Sequence, residues 1–253
     1  MIEGIFFDIS GVLLDGAELL PNADKAINYI EEKNLPYRLI TNTSQQPRSK
    51  IVKQLQDAGI NIIEDHVYTA PLAAKDYVLS HNLRPYCLIH RGLKSEFSDV
   101  VQNDPNAVII GDAADDFNYA NLNHAFRLCL EGAPLIAIGH NKYFKKSGDF
   151  FMDAGPFVEA IEYACDIEAV ITGKPSVDFF SQVLASIQLK PEQVALIGDD
   201  IYGDIQGSIN AGLKSRLVRT GKYRDGDENK TAPKAIVVND VLAAVEDCLQ
   251  GCR

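Results

Sequence analysis

The chain has 253 residues, 46% hydrophobic and 23% charged, an ordinary balance for a soluble globular protein with room for one large domain or two smaller ones. Lys plus Arg number 24 against 35 Asp plus Glu, a formal net charge of −11 that argues against nucleic acid or an anionic membrane surface as partner. Five scattered cysteines without a C-x-x-C pair, an acidic third residue and the lack of any long apolar run predict free thiols, no signal peptide, no membrane span and a cytoplasmic location.

In chain order, the first strand is predicted in GIFFDIS, where an apolar run ends on Asp8 ahead of a Ser10-Gly11 turn. A helix follows in NADKAINYIEEKN, then a strand, YRLIT, that runs into Thr41 and Asn42, then a helix, RSKIVKQLQDAG, stopped by Gly59. The middle of the chain offers strands in YCLIH, AVIIGD, PLIAIG and AVITG, with helices in NYANLNHAFRLCLEG, which Gly132 stops, and in PFVEAIEYACD. After Lys174 come the helix SVDFFSQVLASI, the strand VALIGD, a stop at Gly212 and the strands SRLVRT and AIVVN. Near-continuous apolar strands separated by amphipathic helices predict an α/β fold with a mostly parallel sheet covered on both faces. Strands at the two ends of the chain finish in Asp or Thr, whereas those of the middle finish in Gly or His. An inserted second domain would give that arrangement, with residues 77–172 between two core segments, 1–76 and 173–253.

Four strand ends carry chemistry: Asp8, Thr41 with Asn42, Lys174, and GDDIYGD with Asp199, Asp200 and Asp204. In an open parallel sheet the carboxyl ends of the strands open into one crevice. A strand-terminal Asp alone reads as a helix cap, and GKP alone reads as a turn. Three carboxylates in GDDIYGD exceed what capping one helix needs, and their repulsion calls for a cation. Nucleophilic carboxylate, hydroxyl, ammonium and carboxylate cluster together suit phosphoryl transfer. His66, His81, His90, His124 and His140 share no ligand spacing, which argues against zinc. In the loop 139–155, His140, Lys142, Lys145 and Lys146 could meet an anionic substrate, but a solvated basic loop is at least as good a reading.

The stretches DISGVL, TNTSQ, LRPYCLIHRGLKSEF, DAGPFVEAIEYACDIEAVITGKPS, GDDIYGD and VRTGKYR resemble the haloacid dehalogenase-like phosphatases. More narrowly, they are similar to the branch that acts on phospholysine, phosphohistidine and pyrophosphate. The resemblance spans nearly the whole chain. It implies a Rossmann-like doubly wound core with an inserted α/β cap, Mg²⁺ dependence, a small phosphorylated substrate or a phosphoprotein, and a homodimer. It also implies that Asp8 is the nucleophile and that Asp8, the Ser10 backbone carbonyl and Asp199 hold the metal. Thr41, Asn42 and Lys174 would then bind the phosphoryl group, while Asp200 and Asp204 orient metal waters and Lys174.

Ser10 departs from the usual pattern, in which a second Asp protonates the leaving oxygen and later deprotonates water. An alcohol lies far from the useful pKa range, and losing a general acid typically costs roughly 10²–10⁴-fold. That loss falls on alkyl and sugar phosphates. A phosphoramidate nitrogen can arrive already protonated, and pyrophosphate leaves as phosphate, so Ser10 agrees with P–N or pyrophosphate hydrolysis. Asp15 would serve as base for the second step only if its loop folds back; a surface acid is the simpler reading. Competing functions are a small-metabolite phosphatase, of sugar or pyridoxal phosphate type, and a low-turnover phosphoryl-binding regulatory module. A dinucleotide-binding dehydrogenase fails, because no G-x-G-x-x-G follows any strand.

Overall fold

The computed structural model describes residues 1–146 and 149–250, without the side chains of residues 145 and 146. Cys252 and the side chains of Lys145 and Lys146 therefore lie outside the described residues. In chain order the strands begin with β1 (Gly4–Asp8), β2 (Leu14–Asp15), β3 (Glu18–Leu19), β4 (Tyr37–Thr41), β5 (Val67–Thr69), β6 (Pro85–Leu88) and β7 (Ala107–Ile110). They continue with β8 (Leu135–Ala137), β9 (Tyr143–Lys146), β10 (Asp149–Met152), β11 (Val170–Ile171), β12 (Val194–Gly198), β13 (Lys214–Val218) and β14 (Val237–Val238). The helices start with α1 (Ala23–Glu32), α2 (Arg48–Asp57), α3 (Ala70–Ser80) and α4 (Tyr119–Leu130). After them come α5 (Gly155–Cys165), α6 (Val177–Ile187), α7 (Gly207–Asn210) and α8 (Val241–Gln250). Gly59, Gly132 and Gly212, just past α2, α4 and α7, all take positive φ, the left-handed conformation that ends a helix without a Cβ clash.

Two compact units result. The first comprises Met1–Thr41, Ser49–Tyr68 and Lys174–Arg253. Its six-stranded sheet has the order β14-β13-β12-β1-β4-β5, and the pairs β14-β13, β13-β12, β12-β1 and β1-β4 are parallel. The apolar strands alternate faces. Ile5, Phe7, Leu39, Ala195 and Ile197 point into one core with Ala23, Ala26, Ile27 and Ile30 of α1 and Val241, Ala244, Val245 and Cys248 of α8. Both helices repeat apolar residues at i, i+3, i+4 and i+7, the stripe that packs on a sheet. On the other face Arg38, in register with Phe6, reaches Ser186 of α6 through Nε and the Ser186 carbonyl through an Nη, at 3.0 and 2.8 Å. From β1 the chain steps to β4 on one side, and from β12 to β13 on the other. The connections part between β1 and β12, which is the switch point where α/β sheets place their sites.

The second unit comprises Asn42–Arg48 and Thr69–Gly173. Its sheet, β11-β8-β7-β6, is all parallel. Period-2 alternation divides the core in two: Ile109 and Ile136 pack with Ala70, Ala74 and Val78 of α3, whereas Val108, Ile110 and Ala137 pack with Ala125 of α4 and Val158 of α5. β9 and β10 form an antiparallel hairpin carrying exposed Tyr143, Phe150, Phe151 and Met152. Parallel sheets flanked by helices bear out the α/β expectation. No helix among the described residues is long and apolar enough to cross a membrane.

Candidate active site

The first unit brings Asp8, Asp199 and Asp204 together, with one carboxylate oxygen of each within 4.8 Å of the others. Asp8 ends β1, Asp199 follows β12, and Asp204 lies in a π-type turn over Ile201–Gln206. That turn exists because Asp200 caps it: its Oδ1 accepts from the Tyr202 and Gly203 N–H groups at 3.0 Å each. Asp204 then folds back over the strand end, where its Oδ2 accepts from the Asp200 N–H at 3.2 Å. A Cβ at Gly198 would lie 2.4 Å from the Asp204 Cβ, so this approach needs glycine.

Lys174 joins the carboxylates. Its Nζ donates to Asp8 Oδ1 at 2.8 Å and to Asp204 Oδ1 at 2.6 Å, and all three side chains are buried. Burial alone would lower the Lys174 pKa, but the charges of Asp204 and Asp8 outweigh it and raise the pKa. Burial raises the Asp8 pKa against Lys174, with Asp199 adding to the rise. Asp199 is pushed up to about 6 by burial and then by Asp204, and Asp204 to about 6 by burial and then by Asp8. Four carboxylates, with Asp200 counted, face the two ammonium groups of Lys174 and Lys222, a surplus of two negative charges.

Asp199 shows where that surplus is directed. It is 1% exposed, its Oδ2 accepts from the Lys222 N–H at 2.7 Å, and its Oδ1 is buried with no hydrogen-bond partner. An orphaned buried carboxylate oxygen among oxygen-only donors, beside two surplus charges, fits a hard divalent cation such as Mg²⁺.

Thr41 is buried one residue beyond Ile40, the register partner of Asp8. Ser10 is exposed, and its backbone bridges to Leu14. Asn42 opens the second unit, where its Oδ1 would lie 2.9 Å from a Cβ at Gly173. Asp15 is exposed on the β2-β3 hairpin, an ordinary surface acid. His140 Nε2 lies 3.5 and 3.6 Å from Glu159 and Glu162, a partly exposed cluster that spacing along the sequence did not reveal. Cys87, Cys129, Cys165 and Cys248 are free, and burial pushes the Cys87 and Cys129 thiols up to about 12, far from reactive thiolates.

Sequence reasoning singled out VRTGKYR, the loop after β13, but gave its residues no role in the site. Thr220 Oγ1 donates to the Gly11 carbonyl at 2.5 Å, and Lys222 Nζ donates to Asp200 Oδ2 at 2.8 Å. A Cβ on Gly11 or Gly221 would fall 2.1 or 2.0 Å from Asp199 Oδ2. The signal was a fifth strand end, Thr220-Gly221-Lys222, next to that of β12.

Residues 5–101 match a family model described as haloacid dehalogenase-like hydrolase, and residues 171–244 match one of HAD-hydrolase-like proteins. The chain is 40% identical over 255 residues to the phospholysine phosphohistidine inorganic pyrophosphate phosphatase of Homo sapiens, an alignment covering 98% of this chain and 94% of that one. It is 38% identical over 232 residues to the haloacid dehalogenase-like hydrolase domain-containing protein 2 of Bos taurus, covering 92% of this chain and 90% of that one. Among solved structures, 4-nitrophenylphosphatase from Thermotoga maritima superposes with a TM-score of 0.87 at 24% identity, covering 97% of each chain. NagD from E. coli K-12 superposes at 0.85 with 24% identity, covering 95% of this chain and 97% of that one.

Proposed function

Since the chain belongs to the haloacid dehalogenase-like hydrolases, and among them to the phosphatases, we propose that it hydrolyses phosphoramidates or pyrophosphate through an aspartyl-phosphate on Asp8. The observation that carries this reading is the buried group of Asp8, Lys174 and Asp204 beside the orphaned oxygen of Asp199. Lys174 holds Asp8 Oδ1, which leaves the other oxygen to attack phosphorus. The Asp8 O–P bond forms as the P–N or P–O bond breaks, and a nitrogen leaves with the proton it already carries. Water then attacks phosphorus, its O–P bond forming as the Asp8 O–P bond breaks, and its protons leave on the released phosphate while Asp8 returns as a carboxylate. Thr41, Asn42 and Lys174 hold the phosphoryl oxygens in this scheme, and Asp204 fixes Lys174. Mg²⁺, held by Asp8, Asp199 and the Ser10 carbonyl, supplies neutralisation of the phosphoryl charge. Ser10 offers no carboxyl to a leaving alkoxide, which selects substrates that need no acid. Residues 77–172 act as an inserted cap in this reading, and the exposed aromatics of the β9-β10 hairpin support a homodimer; a monomer in equilibrium sedimentation removes the dimer.

The test is phosphate release with Mg²⁺ from a phosphoramidate, pyrophosphate, imidodiphosphate and alkyl phosphates. Phosphoramidate and pyrophosphate should be hydrolysed far faster than alkyl phosphates. Ser10→Asp should raise alkyl phosphate turnover much more than phosphoramidate turnover, short of roughly 10²-fold because the surroundings are not built for a carboxylate. A wild type that already prefers alkyl phosphates defeats the substrate assignment, and full activity in a chelator defeats the metal assignment.

A further inference from the structure

A cavity of about 500 Å³ lies wholly within the second unit, and no Lys or Arg is among its described lining residues. Its deepest charge is Asp112, 5% exposed. Oδ2 accepts from the Gln45 side-chain amide at 2.5 Å and Oδ1 from the Ala114 N–H at 3.1 Å, so both donors are neutral. Neither donor brings a positive charge to offset this carboxylate. Its field reaches Asp153, whose pKa is raised by burial and further by Asp112. Asp115 and Asp149 add exposed carboxylates. The walls are aromatic: Phe117 stacks on Phe157 with centroids 3.9 Å apart and planes at 12°, and Phe144 stacks on Phe151 at 5.7 Å and 19°.

We propose that this cavity binds an organic cation that carries N–H donors, with the lysine side chain of a peptide as the chemistry that fits. Carboxylates repel a phosphoryl group but attract an ammonium, and the faces of aromatic rings attract cations through their quadrupoles. The two lone pairs left on the Asp112 oxygens accept two of the three ammonium donors. A four-carbon stem lies along the phenyl walls, as lysine stems do on apolar surfaces. The proposal stands apart from the phosphohydrolase reading, because every lining residue belongs to the second unit.

The probe is Nα-acetyl-lysine N-methylamide, titrated into the full chain and followed by calorimetry and by amide chemical shifts. It should bind saturably, perturb Asp112, Asp115 and Phe117, and weaken as salt rises. The Nε-acetylated probe, which keeps the stem and loses the charge, should bind at least about tenfold more weakly, as should the lysine probe to Asp112→Asn. An Asp8→Asn protein should bind the lysine probe unchanged, so loss of catalysis and loss of this site are distinguishable. Equal affinity for the charged and neutral probes overturns the proposal, as does no binding. Equal affinity for a quaternary trimethyl-lysine probe, which has no N–H, overturns the role given to Asp112. Should Asp112→Asn fail to fold, the comparison of probes on the wild type decides by itself.

Discussion

Asp199 keeps one oxygen for a ligand because the other is taken by the Lys222 N–H, and two glycines make room for that bond. Gly221 has a φ of +59°, and its missing Cβ would sit 2.0 Å from Asp199 Oδ2 and 2.6 Å from the Gly11 Cα. Gly221→Ala must therefore displace the carboxylate or the backbone that holds it. We expect Mg²⁺ affinity and phosphate release to fall together by at least about tenfold, read by calorimetry and turnover. Normal affinity in that variant would show that the loop does not set Asp199. Asp8→Asn keeps the shape of its side chain and leaves Lys174 paired with Asp204, so the fold should survive. Phosphate release should fall by roughly 10³-fold or more, and near-normal turnover would end the covalent mechanism. Asp8 and Asp199 were legible in the sequence because each ends an apolar run of one sheet, which collects such ends; Lys174 was legible as the end of an apolar run too, but that run, β11, pairs in the other sheet. Gly11 and Thr220 were not, since their bond joins two loops across 209 residues of chain, and Lys222 was not, since it meets Asp199 and Asp200 only once β12 and β13 are paired.

Elements were legible where one face is apolar and the other polar. α1 and α8 share one stripe spacing, and of these α1 was read from its sequence, as were nine strands of the two parallel sheets. α3 was harder to read, because Ala70, Pro71, Ala73, Ala74 and Val78 bury most of its surface and leave a weak period. β5 has three residues, too few to show alternation, and is held by what precedes it. Tyr37 of β4 donates its hydroxyl to Glu31 Oε1 at 2.7 Å, and His66, just before β5, lies tilted against its ring, 4.4 Å between centroids and 32° between planes, with Nδ1 3.1 Å from the hydroxyl. Because the hydroxyl proton goes to Glu31, Nδ1–H of His66 is the donor in the second bond. Burial, and then Arg38, lower the His66 pKa below 6.5. Above pH 6.5 folded and unfolded chains both hold neutral imidazole, and its contribution to stability is complete. As pH falls below 6.5 the unfolded chain takes up a proton that the folded one resists, so stability is lost down to the folded pKa. His66→Gln should flatten the decline of the melting temperature between pH 7 and pH 5, seen by differential scanning fluorimetry. An unchanged slope would show that the ring does not tie β5 to β4 through its protonation.

Among the described residues the two units have separate apolar clusters, and the proposed ligands divide between the units. The chain passes from the first unit to the second at Asn42 and at Thr69, so neither unit is a continuous stretch of sequence, but each encloses its own apolar cluster. Asp8, Lys174, Asp199 and Asp204 belong to the first, whereas the aromatic cavity around Asp112 belongs to the second. A ligand stabilises only the cooperative unit whose native form binds it. Mg²⁺ at one hundred times its dissociation constant contributes about 2.7 kcal/mol to the unit that holds it. For a unit of this size that raises its melting temperature by roughly 5–15 °C. The lysine probe at ten times its dissociation constant contributes about 1.4 kcal/mol, to the other unit alone. Scanning calorimetry in chelator, with Mg²⁺, with the probe and with both should therefore show two transitions that move independently, one for each ligand. In Asp199→Ala the Mg²⁺ shift should vanish and the probe's shift should remain. The reverse should hold in Asp112→Asn, where the Mg²⁺ shift persists without the probe's. A single transition moved by either ligand would mean that the two units unfold as one, and that the second draws its stability from the sheet that carries Asp8.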